Sequence, residues 1–204
     1  MKLEVDKFKI SELVIKKLIP IVGTHPYPLD ELLLLASTVS YFKPDLIFEW
    51  GTHIGKSARI FQETADYLGL DLMIHSIDLP ESVEHVEHPH KKLGMLINNE
   101  LKNIILHRGD GITIAKEQGL LNKDKRILFF LDGDHEYSSV KKELQTIIEH
   151  FPDSPMLVHD TFYQDKESGY NVGPYQAIKG MLWLHSYETI HLKTGLPGMS
   201  LLYK

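Results

Sequence analysis

Apolar positions along the chain change period near residue 45. Before it, Leu13, Val14 and Leu18 fall on one face of a helix over residues 11–19, which Pro20 is expected to end. Thr24-His25-Pro26-Tyr27-Pro28 reads as a turn. Asp30 then lies near the start of a helix whose leucines and Val39 leave little polar surface, so it is expected to be buried or to pack on another subunit. Lys43-Pro44-Asp45 breaks it. Beyond that point short β-rich runs at 46–50, 72–79, 103–107, 127–132 and 156–159 alternate with helical patterns at 56–68, 89–100, 112–118 and 138–151. In the last pattern Val140, Leu144, Ile147, Ile148 and Phe151 form a one-sided stripe, with Ser138 as the expected N-cap. A final helix is expected from Gly173-Pro174, with the proline at its first position. Two closing strands follow at 188–192 and 199–204.

Alternating βα units with nearly all-apolar strands imply a doubly wound α/β fold, its parallel sheet covered on both faces. The length, 204 residues, suits one domain and is short for two. The expected organisation is N-terminal helices over 1–44 and an α/β core over 45–204, with no repeat or linker.

Charge and composition narrow the function classes. The net charge is −6 and no Lys/Arg run exceeds two residues, which argues against nucleic acid as partner. Cysteine is absent, which excludes disulfides, thiolate catalysis and cysteine-bound zinc. The first residues alternate charge with apolar side chains, unlike a signal peptide, and apolar runs such as 32–36 are too short to span a membrane. A cytoplasmic, soluble protein is expected.

In doubly wound sheets ligands bind outside the carboxyl ends of the strands. The first strand is followed by Glu49-Trp50-Gly51-Thr52-His53-Ile54-Gly55-Lys56-Ser57. Gly51 and Gly55 permit a tight turn and close approach of a ligand. The dinucleotide fingerprint is missing, because His53 stands where its middle glycine would be, and there is no P-loop. Glu49 would repel phosphate and suits a cationic ligand. A generic strand-to-helix turn is the plainer alternative. Asp78 ends the second strand at a spacing typical of an acid that holds a ribose. Asp110, between two glycines, ends the third and could reach an adenine amino group. Asp132-Gly133-Asp134-His135 and His159-Asp160 follow the fourth and fifth. There two carboxylates and two imidazoles converge. Oxygen ligands suit Mg²⁺ or Ca²⁺, while histidine moves the choice toward Mn²⁺, Fe²⁺ or Zn²⁺.

Taken together, these motifs resemble a class I S-adenosylmethionine-dependent methyltransferase. The likeness is nearest to the small-molecule group of macrocin-type and rhamnosyl O-methyltransferases and cephalosporin hydroxylase-like proteins. It covers residues 45–204, and Phe130-Leu131-Asp132-Gly133-Asp134-His135-Glu136-Tyr137 is its most specific part. Gly173-Pro174-Tyr175-Gln176-Ala177-Ile178 and Leu196-Pro197-Gly198-Met199-Ser200-Leu201 also match. The resemblance implies a Rossmann-like seven-stranded sheet with one antiparallel strand near its edge. It implies that Glu49, Gly51, Thr52, Gly55 and Ser57 cradle the methionine part of S-adenosylmethionine. Asp78 would hold the ribose, and Asp110 would meet the adenine. Asp132 would be a cofactor-site acid or metal ligand, with His159 and Asp160 completing a metal set and His135 the general base. Metal-dependent members tend to carry two adjacent acids where this chain has His159-Asp160, which argues against a tightly held Mg²⁺ and leaves a softer metal, or none, open.

Weaker signals are His85, His88 and His90, which read as a solvated loop, and Tyr163, Tyr170 and Tyr175, which could stack on an acceptor. Trp50 reads as core. The N-terminal helices could serve a homo-oligomer. Competing readings are a nicotinamide-dependent oxidoreductase, a non-catalytic cofactor-binding protein on the same fold, and a metal-dependent hydroxylase using His135, His159 and Asp160.

Overall fold

The N-terminal helix begins at Asp6, whose carboxylate accepts the Lys9 N–H at 3.1 Å. It runs as α1 (Lys7–Leu13), then a π-helical turn over Val14–Leu18, then α2 (Ile19–Val22). Pro20 therefore does not end the helix as expected. The wider π turn puts the proline in the first turn of α2, where a backbone N–H is not required. Gly23, at φ 71°, ends it instead. The computed structural model describes residues 4–80, 82–83, 93–97, 101–165, 172–185 and 187–204. These divide into two compact units, 1–127 and 128–204.

In the first unit α3 (Leu29–Phe42) buries Leu32, Leu34, Leu35, Ala36 and Val39 and packs on α4 (Lys56–Leu68) and α1. Burial within its own unit thus accounts for its all-round apolar surface. Lys43, in the left-handed region at φ 47°, stops it before Pro44. The strands are β1 (Leu46–Trp50), β2 (Met73–Asp78) and β3 (Ile104–Arg108), parallel throughout, with Glu49 opposite Ser76 and Asp78 opposite Arg108. Helix α5 (Gly111–Leu120) follows β3. Coverage on both faces holds for β1 but not for β3, an edge strand that leaves Ile105 and Leu106 exposed. The helix expected over 89–100 is not seen where the structure describes that stretch, since residues 93–96 form turns and 97 is irregular. The rest of it lies outside the described residues, as do His85, His88, His90 and Tyr170.

The second unit contains β4 (Ile127–Leu131) from Leu128 onward, α6 (Tyr137–His150), β5 (Met156–His159), α7 (Val172–His185), β6 (Glu188–His191) and β7 (Met199–Tyr203). β5 runs parallel to β4, and β7 lies antiparallel between β5 and β6. The fold is thus a mostly parallel, Rossmann-like sheet of seven strands with one antiparallel member near an edge. Ser138 is not the cap of α6. The helix starts at Tyr137 with Glu136 at its N-cap position and no side-chain capping bond, and just ahead of it the Asp134 carboxylate accepts from Glu136 N at 3.0 Å and Ser139 Oγ at 2.5 Å. Helix α7 likewise starts at Val172, with Pro174 still in its first turn. Gly173 is required there, since a Cβ would stand 2.1 Å from the His135 carbonyl oxygen. The helix start is thereby seated against the backbone of the Asp132–His135 turn. No helix among the described residues is long and apolar enough to cross a membrane.

Candidate cofactor and metal sites

In the first unit the loop after β1 is shaped by backbone that few residues tolerate. Gly51 (φ 92°) and Gly55 (φ 84°) are left-handed, and so is His53 at φ 43°. A side chain on Gly55 would press within 2.7 Å of Ile97. The segment 93–97 lies on this loop, with Gly94 N donating to His53 O and Leu96 N to Ile54 O. Glu49 is fully buried at the end of β1. Ser76 Oγ donates to Glu49 Oε1 at 2.5 Å, and Thr52 and Ser76 share a 2.7 Å hydrogen bond. Because the single Ser76 proton goes to Glu49, Thr52 is the donor to Ser76. The three residues form a directed chain ending on the carboxylate, which fixes Glu49 against the loop.

Asp78 is tied to the same loop. Its Oδ2 accepts the His53 N–H at 3.0 Å and its Oδ1 accepts the Leu79 N–H at 2.8 Å. This bond helps hold His53 in its uncommon conformation and brings the expected ribose acid beside the glycine turn. Ser57 lies in the first turn of α4 with its side chain buried. Asp110 is the N-cap of α5, its Oδ1 accepting from Thr113 N and Thr113 Oγ1. Trp50 is core, as expected, and its indole lies where any Cβ on Gly111 would be, 1.5 Å from Nε1. Ser76 was missed from the sequence. The signal was its place two residues before Asp78, on the same face of β2.

On the opposite face of the sheet the buried His75 of β2 pairs with the half-buried His107 of β3, Nδ1 lying 2.9 Å from Nε2. Burial first, and then the neighbouring His107, lowers the His75 pKa to about 4. Both rings are neutral in the native state near pH 7, since burial lowers His107 as well. The unfolded chain takes up these protons first as pH falls. The His75 contribution to stability is therefore complete above about pH 6.5 and is lost as the pH falls toward about 4. His75→Leu is expected to remove about 2–3 kcal/mol of that acid sensitivity. Urea midpoints of both proteins between about pH 4 and 7.5 check this, and parallel pH curves would refute it.

The second unit brings together the acids and histidines of its strand ends. His159 Nδ1 lies 2.8 Å from Asp132 Oδ1 and 3.1 Å from Asp160 Oδ2. The ligand atoms of Asp132, His159 and Asp160 lie within 4.8 Å of one another. His159 and Asp160 are buried, and Asp132 is partly so. One nitrogen and two oxygens this close together form a set that could hold a divalent cation. His135 Nε2 stands 3.1 Å from Asp160 Oδ2 and 4.0 Å from Asp132 Oδ1, with its ring partly exposed. Asp160 is itself left-handed, at φ 55°. Asp132, expected at both the cofactor and the metal, thus joins the histidine cluster here. Tyr163 and Tyr175 stack on each other at 4.7 Å.

Solved structures share this fold. An O-methyltransferase from Bacillus cereus in complex with SAH matches with a TM-score of 0.58 at 14% identity, over 99% of this chain and 93% of that one. TomG, an O-methyltransferase from Streptomyces achromogenes in complex with SAM, gives 0.57 at 13%, over 100% and 92%. The apo structure of CmcI gives 0.57 at 14%, over 87% and 72%. No curated protein sequence matches the chain. The model of the family described as rhamnosyl O-methyltransferase/CmcI matches residues 24–191, which span the Gly51–Gly55 loop, both strand-end acid–histidine motifs and α7, and the chain belongs to that family.

Proposed function

We propose that this S-adenosylmethionine-dependent O-methyltransferase methylates a hydroxyl of a small molecule, a sugar or natural product, with the help of a divalent cation. The observation that carries the cofactor half is the buried Glu49 carboxylate at the head of the Gly51–Gly55 turn, with Asp78 bonded to the same loop. An anionic, glycine-lined turn suits an amino-acid ammonium and a sulfonium better than a pyrophosphate, which also disfavours a nicotinamide cofactor.

S-adenosylmethionine, when bound, supplies a methyl group on a cationic sulfur. The acceptor oxygen forms the new C–O bond as the S–CH₃ bond breaks, and the hydroxyl proton must leave. Here His135 is the base. The Asp160 carboxylate at 3.1 Å holds the proton of Nε2, so the basic lone pair of the neutral ring is on Nδ1, and the same carboxylate stabilises the imidazolium that results. Asp132, His159 and Asp160 would hold the cation, which would supply Lewis-acid stabilisation of an alkoxide. Asp110 and Ser57 complete the proposed cofactor set, as in the family resemblance.

Calorimetry with SAH and with NADH tests the cofactor, and SAH release over a panel of hydroxylated sugars and phenols tests the reaction. SAH binding without NADH binding, together with turnover of at least one hydroxyl acceptor, is expected. NADH binding, or SAH binding without turnover of any acceptor, would overturn the proposed activity.

A further inference from the structure

Asp160 has a conformation that strand geometry does not supply. It follows β5 directly, and its left-handed φ of 55° turns the carboxylate toward His159 and His135. Asp visits this region at a cost, and a non-glycine residue stays there only when its surroundings hold it. On its upstream side the pairing of β5 with β7 holds it, His159 lying opposite Met199. Downstream, Thr161 N donates to Gly198 O at 3.1 Å and Phe162 N donates to Pro197 O at 3.0 Å. Gly198, at φ 81°, lets the two segments approach, for a Cβ there would stand 2.5 Å from Phe162 N.

A side-chain chain backs this backbone clamp. Ser200 Oγ donates to Thr161 Oγ1 at 2.8 Å, and His191 Nδ1 lies 2.7 Å from Ser200 Oγ. Ser200 has one proton, already given to Thr161, so His191 donates through Nδ1–H. Ser200 and Thr161 are buried, and His191 sits opposite Ser200 in the β6–β7 register. Two adjacent strands thus reach one hydroxyl, that of the residue directly after Asp160.

We infer that Thr161, Ser200 and His191 are positioning residues that hold Asp160 in its left-handed conformation and so keep its carboxylate convergent with Asp132 and His159. The inference rests on the cation reading above only for its effect on metal affinity. Its structural consequence stands apart. The chain terminates on a hydroxyl rather than on the carboxylate, so it fixes the direction of Asp160 without competing for the ligand oxygens. Partners of ligating groups of this kind typically change metal affinity by about 10–100-fold.

The test compares Thr161→Val, which keeps the shape and loses the hydroxyl, with Thr161→Ser, which keeps the hydroxyl. Mn²⁺ binding is followed by calorimetry, and crystal structures of both variants are determined. Mn²⁺ affinity is expected to fall about tenfold in Thr161→Val and to stay near wild type in Thr161→Ser. The Asp160 carboxylate is expected to move by about 1 Å from His159 in the first variant only. Should the wild type bind no Mn²⁺, the metal reading fails, and the crystal structures alone decide the positioning role. An unmoved Asp160 in Thr161→Val, or equal losses in both variants, would overturn the inference.

Discussion

His135→Ala is expected to lower turnover by about 10²–10⁴-fold while SAH affinity stays at the wild-type value. The His135 ring is exposed enough to meet an acceptor, and it stands beside the Asp160 carboxylate, the arrangement a general base needs. Its Nε2 faces Asp160 at 3.1 Å, an orientation that leaves Nδ1 basic. The residues assigned to the cofactor, Asp132 excepted, belong to the other unit, so its removal does not touch the Glu49 or Asp78 hydrogen bonds. The measurement is SAH release with whichever hydroxyl acceptor the wild type methylates, beside calorimetry with SAH. His135→Gln separates base loss from packing loss. It should be as slow as the alanine variant, and restored turnover in the glutamine variant would refute the assignment.

Asp78→Ala is expected to weaken SAH binding by about 10–100-fold, the size of one or two charge-assisted hydrogen bonds. Two effects combine here. The carboxylate accepts the His53 N–H and thereby shapes the turn, and it is the group proposed to take the ribose hydroxyls. An SAH analogue lacking the ribose hydroxyls tells them apart. The wild type should bind the analogue more weakly than SAH, and the variant should bind both alike, since a partner already removed cannot be lost again. If the variant still discriminates between the two ligands, the ribose assignment is wrong and Asp78 serves the loop alone.

The strand-end acids, the glycine spacing and the strand–helix order were legible because each depends on local pattern. Apolar runs bounded by turn residues give strands at β1, β2, β4 and β5, and the Lys56–Leu68 amphipathic stripe gives α4. Glu49, Asp78, Asp132, His135, His159 and Asp160 could be named because doubly wound folds put their chemistry at strand ends. The misreadings were local competitions that pattern cannot rank. Pro20 reads as a stop because the π turn that admits it leaves no mark in composition. Ser138 reads as a cap because it is a good capping residue at the edge of the apolar stripe, and pattern does not show that the helix already begins at Tyr137.

What only tertiary structure decided is how side chains far apart in sequence share protons and space. Ser76 connects Thr52 to Glu49 across two strands. Gly111 is glycine because the Trp50 indole fills its Cβ position, and Gly173 because the His135 carbonyl does. His191, Ser200 and Thr161 form a chain only because β6 pairs with β7 and β7 with β5. The sequence by itself determined the fold class and the acids and histidines at the strand ends, since hydrophobic period and turn chemistry are properties of neighbouring residues. The direction each of those groups faces was decided by packing and long-range hydrogen bonds. Asp160 shows the difference most directly, since its identity is local and its left-handed backbone is held by segments about 40 residues away.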